Sequence, residues 1–174
     1  MFTFLESTKI VLRAMGWSHD RDVAPTQWIS FLQQAEYPVF ELANTILRHL
    51  GGLDAQHISL NQPLSLSGSI PIVFVGNKHF NFLPQTAPDA DCDSAPFWKQ
   101  HPIIRAADVE ICPIGSFDDY RTLFLTSDGK VYKGQFYNPT PLSDLHNRQA
   151  SLTLVGSTIA NAVDHLINNL IAYR

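Results

Sequence analysis

The chain has 174 residues, a length that suits a single domain with its own core. Hydrophobic residues make up 45% of the chain and charged residues 16%, a composition that excludes a disordered or fibrous protein. The formal net charge is −4 and lysine and arginine are nowhere clustered, so we expect no direct binding to nucleic acid or to an anionic membrane.

The apolar segments and the cysteines indicate where the protein resides. The longest apolar run, residues 70–75, is too short to span a bilayer. Glu6 and Lys9 interrupt the N-terminal hydrophobic residues, and no small-residue cleavage site follows, so we expect no signal peptide. Cys92 and Cys112 form neither a CxxC pair nor a disulfide framework. These features predict a cytoplasmic protein with reduced thiols.

Three amphipathic helices are predicted within the first 50 residues. Residues 4–17, FLESTKIVLRAMGW, place apolar side chains on one helical stripe. Thr26 is the expected N-cap of a second helix. The third helix has the clearest pattern, with apolar residues at i, i+3, i+4, i+7, i+8 and i+11: Val39, Leu42, Ala43, Ile46, Leu47 and Leu50.

Two glycines directly follow the third helix. Glycine lacks the Cβ that makes a left-handed backbone costly, so we expect Gly51 or Gly52 to adopt that conformation and to cap the helix. We expect Leu53 to fold back onto the last turn and to begin a strand.

From Leu53 to Leu83 the pattern is typical of strands, with the segments HISL, IPIVFV and HFNFL separated by proline, serine and glycine. Residues 61–102 contain six of the eleven prolines and the acidic stretch PDADCDS. We interpret this region as strands with an irregular excursion, and we expect a short helical turn over residues 96–101.

A second block of strands begins near residue 109. The segment VEICPIG predicts a strand that Pro113 bends or confines to an edge. RTLFLTSDGKVYKGQF, residues 121–136, predicts a β-hairpin with its turn at 127–129.

A last helix is predicted near the C-terminus, with Ser157 as its expected cap. Its apolar positions have helical spacing: Ile159, Ala162, Val163, Leu166, Ile167 and Leu170. N-terminal helices, a mostly antiparallel sheet with a β-hairpin, and a C-terminal helix together predict an α+β fold in one domain, residues 1–174.

Motifs for catalysis, metal binding and cofactor binding are absent from the sequence. It contains no G-x-S-x-G, no H-E-x-x-H and no Walker loop. Asp89, Asp91 and Asp93 alternate as in a calcium loop, but Ser94 and Gln100 occupy the positions that require glycine and glutamate. We therefore expect no enzymatic activity, no metal and no cofactor. The alternative, an enzyme that uses a cysteine or histidine, requires a deep pocket with a proton acceptor in reach.

Exposed acidic and aromatic residues are the candidates for contact with a protein partner. Asp118, Asp119 and Tyr120 form a patch beside the hairpin. Most such patches only keep a protein soluble, but a minority attract a basic partner. Trp98 lies in the irregular segment, and of the three tryptophans we expect it to be the most exposed. The full candidate set is Asp89, Asp91, Asp93, Trp98, Asp118, Asp119 and Tyr120.

Several segments occur in an order that is known from one protein family: VLRAMGW, Arg21 with Val23, Trp28, ILRHLGGL, ICPIG and LFLTSDGKVYKG. Over residues 5–172 they resemble the third subfamily of the SUKH superfamily, bacterial immunity proteins related to the yeast regulator Smi1/Knr4. In that family a helix ending in GW precedes an R-x-V segment, a helix runs into GGL, and a PxG strand precedes a strand with a D-G turn. Residues 61–102 depart most from the pattern.

The resemblance implies a non-catalytic immunity protein that binds and neutralises a cognate polymorphic toxin, commonly a nuclease or a deaminase, in the cytoplasm of the producing bacterium. It also implies that six motif residues determine the fold rather than contact the partner: Gly16, Trp17, Gly51, Gly52, Gly115 and Gly129. The alternative is an intracellular regulatory scaffold or protein-binding module of the Smi1/Knr4 type.

Overall fold

The computed structural model of the chain describes residues 2–55, 64–66, 70–74, 80–84, 95–117, 121–137 and 149–173. Within these ranges the first three helices are α1 (Glu6–Ala14), α2 (Thr26–Gln34) and α3 (Glu41–Leu50). Later helices are α4 (Ala95–Lys99), α5 (Pro102–Ala107) and α6 (Ile159–Leu170).

The described strands form two antiparallel sheets. One sheet has five strands in the order β3-β4-β5-β6-β7: β3 (Phe80–Asn81), β4 (Ile111–Phe117), β5 (Arg121–Thr126), β6 (Val131–Tyr137) and β7 (Gln149–Gly156). The other has three strands in the order β1-β2-β8: β1 (Leu64–Leu66), β2 (Ile70–Phe74) and β8 (Ile171–Tyr173). The predicted α+β class is confirmed.

The core forms where the apolar stripes of the helices meet the large sheet. The stripe of α3 is fully buried at Ala43, Ile46, Leu47 and Leu50. On β5, Leu123, Phe124 and Leu125 are all fully buried although neighbouring side chains point to opposite faces. The middle of the sheet is therefore covered on both faces, which explains its uninterrupted apolar sequence.

The GGL segment joins α3 to the edge of the large sheet. Gly52 donates its N–H to the carbonyl of Phe82 at 3.0 Å, and Phe82 donates back to the carbonyl of Leu53 at 2.8 Å. Gly52 has φ +80°, whereas Gly51 has φ −54°, so the left-handed residue is Gly52. The Leu53 N–H donates to the Leu50 carbonyl at 3.1 Å, which confirms the predicted fold-back. Leu53 does not begin a strand, because the next residue, Asp54, forms only an isolated bridge with Asn81.

Both predicted helix caps are wrong by one residue. Pro25 holds the N-cap of α2, and Thr26 is its first helical residue. At the start of α6, Thr158 Oγ1 accepts a 3.2 Å hydrogen bond from the Asn161 N–H, a capping bond that places the cap at Thr158 rather than Ser157.

Other differences concern the strands. Pro113 produces a bulge between Pro113 and Gly115, as expected, but β4 lies inside the sheet between β3 and β5 rather than at an edge. Strands β7 and β8 and the helix α5 have no counterpart in the sequence prediction, and β8 rather than a helix is the last described element. The predicted segment HISL, residues 57–60, lies outside the described residues.

Candidate functional site

Six of the seven candidate residues, Asp89, Asp91, Asp93, Asp118, Asp119 and Tyr120, lie outside the part of the chain that the structure describes. Residues 118–120 nevertheless have a known place in the chain, because they connect the end of β4 to the start of β5, where Phe117 pairs with Arg121. The acidic segment 89–93 connects β3 to α4.

Trp98 is the seventh candidate, and the expectation that it is exposed is wrong. Its side chain is fully buried, with its ring centroid 4.6 Å from that of Phe124 and 5.5 Å from that of Phe97. Helix α4 places the indole against the large sheet, so it presents no surface to a partner.

Positive charge lies at the base of the loop 118–120. Arg121 Nε donates a 3.1 Å hydrogen bond to Gln135 Oε1. Lys133 Nζ lies 5.8 Å from the centre of the Phe117 ring, which is a cation–π distance. Two cationic side chains therefore lie next to the strand ends that residues 118–120 connect.

The R-x-V motif binds the end of α3. Arg21 Nη2 donates to the Gly51 carbonyl at 2.7 Å, and the Arg21 carbonyl lies 2.7 Å from His49 Nδ1. The Val23 N–H donates to the Arg48 carbonyl at 3.0 Å. Burial lowers the pKa of Arg21 from its ordinary value. This motif fastens the connector between α1 and α2 to the C-terminal turn of α3.

The indole of Trp28 lies over the two glycines of GGL. A Cβ on Gly51 would lie 2.3 Å from the Leu47 carbonyl oxygen and 2.5 Å from the Trp28 ring. The Trp28 side chain is 4% exposed, so the contact belongs to the core. Trp28 and Gly51 therefore pack together in the core.

Cys112 is a poor candidate for a nucleophile. Its side chain is fully buried, and burial, with a smaller contribution from Glu110, raises the pKa of its thiol to about 12. Nucleophilic cysteines need the opposite shift, because the thiolate is the reactive form.

Two histidines of the described residues, His101 and His165, make hydrogen bonds within their own helices. His101 Nδ1 accepts from the Ile103 N–H at 3.3 Å and caps α5, and His165 Nε2 lies 3.1 Å from Asn169 Nδ2. Over the same ranges, no group of three histidine, cysteine, aspartate or glutamate side chains could hold a metal ion. None of the described helices is both long and apolar enough to cross a bilayer.

The outward face of α3 forms two adjoining depressions. One, of about 390 Å³, is lined by Phe2, Trp17, His19, Leu42, Thr45 and His49. The other, of about 430 Å³, is lined by Phe40, Glu41, Leu42, Thr45 and Ser127. Because they share Leu42 and Thr45, we treat them as one surface and call it the α3 groove.

The segment that carries the motifs also matches a family model. The model of the SUKH-3 immunity protein family matches residues 4–169. The chain belongs to the SUKH-3 immunity protein family. Comparison with curated proteins and with solved structures returns no significant match.

In the SUKH-3 chain, the buried residues of the ILRHLGGL motif and the groove lie on different sides of α3. Leu50 and Gly51 face the interior, whereas Leu42, Thr45 and His49 are half-buried and line the groove. The sequence analysis missed this site because it counted Leu42 among the core positions. Leu42, Thr45 and His49 are spaced i, i+3 and i+7 beside the fully buried stripe, but this spacing alone does not show which positions stay accessible.

Proposed function

We propose that this SUKH-3 protein neutralises a cognate polymorphic toxin by binding it and covering its active site. The observation that carries the proposal is the match of residues 4–169 to the SUKH-3 immunity protein family. The action is non-catalytic and takes place in the cytoplasm of the producing bacterium, and residues 1–174 act as one immunity domain.

Neutralisation by occlusion sets a requirement on affinity. A few molecules of an active toxin can kill a cell, so the complex must have a Kd of nanomolar or below, about −12 kcal/mol of binding free energy. An interface of roughly 1,600 Å² with a few well-packed anchors supplies such an affinity. The shallow α3 groove is compatible with contact between two folded surfaces.

The toxin class that fits best is a basic nuclease or a deaminase. The net charge of −4 favours a basic partner, and the acidic segments 89–93 and 118–120 add association rate more than final affinity. Asp89, Asp91, Asp93, Asp118, Asp119 and Tyr120 are the proposed contacts from these segments. Trp98 is not among them, because its side chain is buried.

A non-catalytic role also fits the chemistry of the described residues. Cys112 is enclosed and its thiol pKa is raised to about 12, so the thiolate is scarce at neutral pH.

The proposal is tested by co-expression with the toxin encoded by the neighbouring gene. Growth rescue by the intact chain, with co-purification of a catalytically inactivated toxin at 1:1 stoichiometry, is the expected result. A toxin from an unrelated system serves as the control for specificity. Absence of both rescue and binding would contradict toxin neutralisation and would favour the regulatory scaffold of the Smi1/Knr4 type.

A further inference from the structure

The α3 groove combines an aromatic floor with a single described acidic group. Phe2 and His49 pack edge to face with centroids 5.9 Å apart, and Phe4 supports both Phe2 and Trp17 from below at 6.0 and 5.7 Å. Among the described lining residues, Glu41 is the one carboxylate, and none is lysine or arginine.

The Glu41 carboxylate is available to a partner. Glu41 is exposed at the first turn of α3, and its backbone carbonyl accepts a 2.9 Å hydrogen bond from Thr45 Oγ1. Within the described residues its carboxylate has no ion-pair partner. A cationic group of a partner can therefore pair with this carboxylate without displacing any described group of the protein.

The hydrogen bonding of His49 gives the groove a defined acceptor. His49 Nδ1 lies 2.7 Å from the Arg21 carbonyl oxygen, and a carbonyl can only accept, so Nδ1 carries the proton. In the neutral ring, Nε2 is then an acceptor. The groove therefore contains an imidazole acceptor and a carboxylate beside apolar ring surface.

The opposite side of α3 lacks this combination. There a depression of about 470 Å³ includes Asp22 and Arg48, and Arg48 Nε donates to Asp22 Oδ1 at 2.7 Å. The two opposite charges satisfy each other, so this side offers a partner little unbalanced charge. The α3 groove, whose carboxylate has no ion-pair partner among the described residues, is therefore the better candidate for binding a charged partner.

We propose that the α3 groove is the docking site for a segment of the toxin that pairs an apolar anchor with a lysine or arginine. The apolar side chain packs on Phe2, Leu42 and His49, and the cation approaches Glu41. This inference rests on the proposed function and names the surface and the partner chemistry that it uses.

The groove is separate from the loop 118–120. Strand β5 leads from that loop at Arg121 to the turn at 127–129, where Ser127 lines the groove. Five steps of about 3.3 Å place the two ends about 17 Å apart. Substitutions at the two ends can therefore report on each location independently.

The test uses the full chain and a catalytically inactive form of the toxin domain encoded by the neighbouring gene. Thr45→Arg adds a bulky cation at the point that the two depressions share. Asn168→Arg adds the same charge at an exposed position of α6 and is the matched control. Leu42→Ala, which removes an apolar contact without adding bulk, is the second variant, and circular dichroism checks that each variant is folded.

We expect Thr45→Arg to raise the Kd at least about tenfold and Leu42→Ala to raise it about three- to tenfold, whereas Asn168→Arg binds like the wild-type protein. Glu41→Lys should slow association about tenfold at low salt, and the difference should shrink as salt rises. If the wild-type protein binds and the folded Thr45→Arg and Leu42→Ala variants bind with the same Kd, the groove is not the docking site. If the wild-type protein itself does not bind, the proposed function fails together with the groove.

Discussion

Arg21 Nη2 and the Gly51 carbonyl oxygen lie 2.7 Å apart, in a hydrogen bond that joins two family motifs separated by 30 positions in sequence. Gly51 immediately follows α3, where the last carbonyls of a helix lack partners within the helix and carry the negative end of its dipole. A guanidinium at this position satisfies one carbonyl and complements that dipole.

We predict that Arg21→Ala lowers the free energy of unfolding by about 1.5–3 kcal/mol, the range for a hydrogen bond to a charged group. The change leaves the Gly51 carbonyl without its donor and uncovers part of the end of α3. In a domain of this size the Tm should fall by about 2–4 °C for each kcal/mol. Arg13→Ala, at an exposed position of α1, is the control and should change the Tm by much less. Equal Tm values for the two variants would show that the Arg21 hydrogen bond contributes nothing to stability.

The GGL segment leads to a second prediction, about two adjacent glycines. Gly51 has an ordinary φ of −54°, but a Cβ there would lie 2.3 Å from a backbone oxygen of α3. Gly52 has φ +80°, and its nearest Cβ contact is 3.2 Å from the Trp28 ring. We therefore expect Gly51→Ala to cost more than Gly52→Ala, for which backbone strain of about 1–3 kcal/mol is the main cost.

Thermal unfolding of the two alanine variants measures this order. The clash at Gly51 involves the Leu47 carbonyl oxygen, which also accepts the 2.9 Å hydrogen bond from the Gly51 N–H at the end of α3. A Tm for Gly51→Ala that equals that of the wild-type protein would mean that the helix end relaxes freely. A lower Tm for Gly52→Ala than for Gly51→Ala would make strain, rather than packing, the dominant cost.

The sequence predicts the helix at GGL but not which glycine is left-handed, because that choice depends on contacts made far away. The Trp28 ring covers Gly51, and the Phe82 carbonyl fixes the Gly52 N–H. Neither contact follows from local spacing. The helices are predictable because the period of their apolar residues is visible in the local sequence. The β5–β6 hairpin is predictable because its turn residues are local too.

Burial is harder to predict where an element is short. The five-residue helix α4 has too few positions to show a period, so the sequence gives no sign that Trp98 packs on Phe124. Leu42 presents the reverse case: it follows the apolar period of α3 yet lies half-buried in the groove. The interior and the α3 groove share an apolar pattern, and only the tertiary structure separates them.

Because Cys112 is buried, we predict that its thiol reacts slowly with alkylating reagents. With a pKa of about 12, only about one thiol in 10⁴ is ionised at pH 8, and the side chain is fully buried. In a Cys92→Ser background, iodoacetamide should therefore label Cys112 only after unfolding. The same variant in denaturant is the control and should be labelled completely. Rapid stoichiometric labelling of the folded protein would indicate an accessible, activated thiol and would favour the enzyme alternative.

The loop 118–120 yields the last prediction, which concerns association rate. Asp118→Lys with Asp119→Lys should slow association with a basic toxin and leave the fold intact, because charges close to the proposed interface act mainly on diffusional encounter. Stopped-flow mixing at low and high salt measures the rate, and the effect should diminish at high salt. Arg121 and Lys133 lie at the base of the same loop, so the two introduced lysines would add to the positive charge that is already there.

A second pair of variants, with smaller changes in charge, shows whether the association rate depends on the charge of this loop or on the net charge of the protein. Asp118→Asn with Asp119→Asn removes two negative charges, and Gln100→Lys with Asn168→Lys adds two positive charges at exposed positions elsewhere. The two variants have the same net charge, so a slower association of the first alone would locate the effect in the loop. Association that is unchanged at low salt, even with both lysines in the loop, would remove Asp118 and Asp119 from the interface.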